Sequence, residues 1–118
     1  MRLVYDDGGR VNAGFRGMTG DCVTRAIAIA TQKPYLEVYN SLNAISKTTE
    51  RRGRRKGKIS NSRTGVYRTT TDKYLESLRW TWTPTMKIGS GCKVHLRTEE
   101  LPTGRLIVQV SKHMVAVI

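Results

Sequence analysis

Cys22 and His113 are the residues of this 118-residue sequence whose types and settings could carry covalent chemistry. The turn-like stretch Gly17-Met18-Thr19-Gly20 runs into Asp21, an N-cap candidate. An alanine-rich apolar run, Cys22-Val23-Thr24-Arg25-Ala26-Ile27-Ala28-Ile29-Ala30, follows and predicts a helix. Cys22 therefore opens that helix. There the unpaired first-turn N–H groups and the positive end of the macrodipole favour a thiolate, which is the nucleophilic form of the side chain. The competing reading is a small buried hydrophobe, the common state of a free cysteine. At the other end of the chain, Arg105 to Ile118 reads as two strands, the second opened by His113. An imidazole brought beside the thiol would take its proton and later return it to a leaving group.

A cysteine opening a helix and a histidine opening a later strand is also the chain order of papain-like cysteine hydrolases. The helix start Gly20-Asp21-Cys22-Val23-Thr24-Arg25-Ala26-Ile27-Ala28 and the end Gly104-Arg105-Leu106-Ile107-Val108…Lys112-His113-Met114-Val115-Ala116-Val117-Ile118 resemble a group of small phage and prophage proteins with a papain-like, cysteine-peptidase fold. The likeness extends over nearly the whole chain. It implies an α+β domain with N-terminal helices packed on a C-terminal antiparallel sheet, and acyl transfer on a peptide or amide substrate without a cofactor. It also implies an oxyanion side chain before the nucleophile, commonly Gln. Asn12 is the only amide side chain in reach here, with a turn residue as its other reading, and the Cys22 N–H supplies one donor by itself. A third residue, Asn or Asp, usually follows the histidine strand and orients the imidazole. Nothing follows Ile118, so the expectation is a shortened chain or an empty third position, with Asp6 or Asp7 as substitutes in space. Shortening would leave His113 to Ile118 as an open sheet edge that a partner could cover.

The elements that must position this pair follow from hydropathy, within a single domain spanning 1–118. Val23, Ala26, Ile27 and Ala30 form one stripe of a central helix running to about Thr31. Pro34 stands at a first-turn position, and Tyr35, Val38, Tyr39, Leu42 and Ile45 predict a second helix over 34–46, its tyrosines a core stripe with polar tips. Thr69-Thr70-Thr71-Asp72 reads as an N-cap cluster for a third helix ending near Leu78. Trp80 and Trp82 alternate with threonines toward Met86, a strand pattern, and Gly89-Ser90-Gly91 is a turn that holds Cys92. That second thiol has no helix behind it. Leu3-Val4-Tyr5 is a short extended piece closed by the turn Asp6-Asp7-Gly8-Gly9, and His95 reads as a structural histidine. The resemblance implies a short helix or turn at Glu99 to Pro102, and Leu106 to Val110 is a β-branched run that predicts a central strand. Ser111-Lys112 turns it back into His113 to Ile118.

The formal net charge of +12 is concentrated in one window. From Lys47 to Arg68 there are nine basic residues (Lys47, Arg51, Arg52, Arg54, Arg55, Lys56, Lys58, Arg63 and Arg68) against Glu50 alone. With Gly53, Gly57 and several Ser and Thr, the window predicts a long mobile loop. Arg51, Arg52, Arg54, Arg55, Lys56, Lys58 and Arg63 suit contact with nucleic-acid phosphates or with an acidic or nucleoprotein host partner. The alternative is a solvated insertion that keeps the chain soluble. Two functions follow. One is a cysteine hydrolase, peptidase or amidase, using Cys22 and His113; the other is a catalytically inactive papain-like phage protein that binds nucleic acid or a host nucleoprotein, for example to inhibit host defence. Two cysteines and two histidines this far apart do not make a metal set. No apolar run approaches the roughly 18 residues of a membrane span, and the N-terminus lacks a leader's apolar region. The expectation is a cytoplasmic protein, in the host cell if phage-encoded, with reduced thiols and an open oligomeric state.

Overall fold

The computed structural model describes residues 4–15, 20–50, 59–83, 86–87, 91–92, 104–110 and 113–118. The described residues form an α+β arrangement of three helices and short antiparallel strand pairs. Helix α1 (Cys22–Thr31) is the centre of it. Thr24, Ala26, Ile27, Ala28 and Ala30 are all buried, wider than one stripe, because α1 packs on a second helix and on the C-terminal strands. Helix α2 (Tyr35–Thr49) starts one residue after Pro34, which holds extended backbone at the N-cap position, and runs three residues beyond the expected end at 46. Thr48 and Thr49 tolerate that extension by donating their hydroxyls back to the Ile45 carbonyl, at 3.1 and 2.7 Å.

The core is small. Ile27, Ala28, Tyr35, Val38, Leu42 and Tyr74 form its buried centre, with Phe15, Tyr39, Leu75 and Ile107 packed around it. Phe15 lies edge-on to Tyr35 with ring centroids 5.3 Å apart, and Tyr39 completes an aromatic trio, so the tyrosine stripe of α2 does face the core. Helix α3 (Arg68–Ser77) begins one residue before the threonine cluster expected to cap it. Thr70 and Thr71 are buried inside the helix instead, Thr70 donating to the Glu50 carboxylate and Thr71 to the Tyr67 carbonyl.

The expected strand from Trp80 to Met86 is not formed over residues 80–83. Its alternation serves a stacking contact: the Arg68 guanidinium lies 4.0 Å above the Trp82 ring. Among the described residues of this stretch only β1 (Met86–Lys87) pairs, with β2 (Gly91–Cys92), which puts Cys92 on a strand rather than in the turn. At the C-terminus β3 (Leu106–Val110) and β4 (His113–Val117) form an antiparallel pair with Val110 opposite His113 and Leu106 opposite Val117. β3 is not a buried central strand: Leu106, Ile107 and Val108 are half-buried and Gln109 is exposed. Arg105, just before β3, fastens this pair to α1 by donating Nε to the Ala30 carbonyl at 2.6 Å and Nη2 to the Ile29 carbonyl at 2.5 Å. It thereby covers carbonyls that the end of α1 leaves without helical partners.

The basic window departs furthest from its expectation. Lys47 belongs to α2, Arg68 opens α3, and residues 59–67 are packed rather than a mobile loop. Ser60 and Ser62 are buried and hydrogen-bonded to residues of other elements. Glu50 accepts the Ser60 N–H at 2.6 Å and the Ser60 hydroxyl at 2.5 Å. Ser62 donates its N–H to Asn43 Oδ1 at 2.8 Å and its hydroxyl to the Tyr39 carbonyl at 2.6 Å, and its own carbonyl accepts the Thr24 hydroxyl at 2.9 Å. Residues 51–58 lie outside the described residues, as do the turn 111–112, His95 and the segment 99–102. No helix among the described residues is long and apolar enough to cross a membrane.

Candidate active site

The start of α1 is fixed by contacts on both sides of Asp21. Gly20 passes so close to the turn at 61–65 that a Cβ on it would stand 2.8 Å from the Thr64 carbonyl oxygen, an approach only glycine permits. Asp21 occupies the N-cap position, but its carboxylate makes no capping bond. It is buried and turned toward three groups: Arg25 Nε at 2.9 Å, Arg10 Nε at 3.4 Å, and the Tyr35 hydroxyl, which donates to it at 2.6 Å. This is a correction to the expected cap, and its cause is electrostatic: two guanidinium groups and a phenol compete for the carboxylate more strongly than a neutral N–H does. Burial, reinforced by the hydrogen bond to Asp21, pushes the Tyr35 phenol well above its ordinary range. Burial works against the charge of Arg25, yet its contact with Asp21 leaves that charge held more firmly than in water.

Arg10 comes from the turn that opens the chain. Asp6 accepts the Gly8 N–H at 2.8 Å, while Asp7 accepts those of Gly9 and Val11 at 2.9 and 3.0 Å. The N–H groups of Val11 and Gly9 hold the Asp7 carboxyl below its usual range. Gly8, at φ +69, lets this turn lie directly against Arg25 and Ala28 of α1.

With its helix anchored, Cys22 opens onto a cleft of about 1090 Å³. The floor is α1 from Cys22 to Ile29; one wall is β4, contributing His113 to Ala116, with Gln109 of β3 beside it. The other wall is Thr64 to Val66 with Arg68 and Thr71 of α3, and Val4 to Asp6 form the rim. Cys22 is a free, half-buried thiol and His113 is exposed. The two residues singled out from opposite ends of the sequence thus line one cavity, each at the first position of its element. Cys22 and Val23 of the first turn of α1, where backbone N–H groups have no helical partner, line the same space.

The remaining sequence candidates are distributed differently. Asn12 is exposed in the turn at 8–14 and is not among the residues lining the cleft. Asp6 lines it, whereas Asp7 is spent on its own turn. Arg63 is half-buried at the 61–65 turn, and Arg51, Arg52, Arg54, Arg55, Lys56 and Lys58 lie outside the described residues. Among the described residues no group of three or more His, Cys, Asp or Glu side chains could hold a metal ion. Sequence reading missed Arg25, Arg68 and Gln109 as cleft residues. Gln109 had a signal, being the one polar residue of the run Leu106 to Val110. Compared with known proteins, the chain matches no family model, no curated protein and no solved structure.

Proposed function

We propose that this chain is a cysteine hydrolase, a peptidase or amidase of the papain-like kind carried by small phage and prophage proteins, acting in the host cytoplasm. The observation that supports the reading is that Cys22 and His113 both line one cleft. In the proposed cycle His113 accepts the thiol proton and Cys22 Sγ attacks the substrate carbonyl carbon. The resulting oxyanion accepts hydrogen bonds from first-turn N–H groups of α1, including that of Cys22. Collapse of this intermediate breaks the C–N bond, His113 returns the proton to the departing amine, and water hydrolyses the thioester.

Hydrolysis of p-nitrophenyl acetate, followed by a panel of peptide amides, tests this. Cys22→Ala and His113→Ala should each lower the rate by about 10² or more, the usual contribution of such groups, while Cys92→Ala leaves it unchanged. A rate indifferent to Cys22→Ala would overturn the reading.

A second reading is supported by the Glu50–Ser60 clamp, which holds together the two ends of the segment carrying Arg51, Arg52, Arg54, Arg55, Lys56 and Lys58. That run would bind nucleic acid or a host nucleoprotein, with affinity falling steeply as salt rises.

A further inference from the structure

We propose that a second cavity, walled by Trp80 and Trp82, binds the arginine side chain of a basic partner peptide. The cavity has a volume of about 210 Å³ and lies between α3 and the β3–β4 pair, with Leu75, Ile107 and Met114 as its aliphatic lining. Gln109 and Met114 also line the Cys22 cleft, but the proposal does not depend on the hydrolase reading. The chain carries 21 Lys and Arg against 9 Asp and Glu, yet the ionisable side chains that line this cavity among the described residues are both acids, Asp72 and Glu76, one turn apart on α3. Arg68 answers only one of them: it pairs with Asp72 at 3.6 Å and does not itself line the cavity. Glu76 makes no ion pair among the described residues, and its nearest basic neighbours in sequence, Lys73 and Arg79, are exposed and do not line the cavity. One carboxylate is left over.

The protein itself shows how such a wall takes a guanidinium. Arg68 lies 4.0 Å over the Trp82 ring while its Nε faces Asp72 Oδ2, a ring and a carboxylate sharing one cation. Trp80 and Glu76 bring the same two components to the cavity, and neither is engaged by a cation among the described residues. Trp82 is still 51% exposed beneath Arg68, so indole surface remains for a ligand to cover. Indole rings also suit nucleobases, but a nucleic-acid strand would bring its phosphates toward Asp72 and Glu76, which repel them. Arginine fits both features of the site, its planar face stacking on a ring and its charge meeting the unanswered carboxylate.

Trp80 and Trp82 are the two tryptophans of the chain, so intrinsic tryptophan fluorescence reports on this cavity alone. At neutral pH and constant ionic strength, N-acetylarginine methylamide should change the emission and reach half-saturation at a concentration about tenfold below that of N-acetylcitrulline methylamide, which has nearly the same shape without the charge. Glu76→Gln, a substitution at an exposed position that should leave the far-UV circular dichroism unchanged, should weaken the arginine compound by about threefold and leave the citrulline compound as it was. Equal titration by the two compounds, no response to either, or arginine binding indifferent to Glu76→Gln would overturn the proposal. Tighter saturation by adenosine than by the arginine compound would overturn it too, and would assign the rings to base stacking.

Discussion

Asp21→Ala should destabilise the protein by about 3–5 kcal/mol, the cost of breaking a buried ion pair from one side. The side chains of Asp21 and Arg10 are 2% and 8% exposed, so water cannot replace the lost partner without opening the turn at 8–14. Arg10 and Arg25 would then face each other with their shared counter-charge gone, and the Tyr35 hydroxyl would lose its acceptor. Tyr35→Phe is the milder companion, since it removes one hydrogen bond and leaves both ion pairs, at about 1–1.5 kcal/mol. Urea denaturation of the three proteins separates these costs. Because Asp21 directly precedes Cys22, the same variant should also release the first turn of α1. A loss below about 1 kcal/mol for Asp21→Ala would mean that the cluster is spectator chemistry rather than the anchor of the site.

The second large effect is at Glu50. Its carboxylate accepts the Ser60 N–H, the Ser60 hydroxyl and the Thr70 hydroxyl, joining the end of α2 to the segment at 59–67 and to α3. Glu50→Ala orphans several buried donors and should cost about 3 kcal/mol. The pH dependence has a defined sign. Burial alone would raise this carboxyl, but the hydrogen bonds from Ser60 and Thr70 outweigh it and hold the folded value below the ordinary 4.5. A lowered folded pKa contributes stability above the unfolded value, and that stability is lost as pH falls through the folded one. The stability difference between the native chain and Glu50→Gln should therefore be full near neutrality and shrink as the solution is acidified below 4.5. A difference that stays constant across that range would show that the charge of Glu50 is not what the clamp uses.

These two residues also explain what could be read from the sequence and what could not. Helices α1 and α2 were legible because their apolar positions recur at helical spacing over ten residues or more, and the β3–β4 pair because β-branched runs flank a short polar link. That Cys22 and His113 line one cleft follows from those elements, since α1 packs on β4. The window after α2 was not legible. Its serines, threonines and glutamate look like solvated loop, yet Ser46, Ser60, Thr70 and Glu50 are buried and bonded among themselves, and buried Ser62 is bonded to Tyr39, Asn43 and Thr24, across long sequence separations. Pairing of that kind leaves no periodic trace. The role of Asp21 was hidden for the same reason. A local rule placed its carboxylate on the helix N-terminus, whereas Arg10 and Tyr35 from other segments, with Arg25 one turn along α1, draw it inward.

The central claim is that Cys22 and His113 act as a pair, and the most direct test is the rate of Cys22 alkylation by iodoacetamide as a function of pH, with Cys92 as internal control. The account predicts that Cys22 reacts at a pH well below the roughly 8.5 of an ordinary thiol, and that His113→Ala moves its profile up toward that of Cys92. Coincident profiles for the two thiols, unchanged by His113→Ala, would contradict it and leave Cys22 a structural residue at the head of α1.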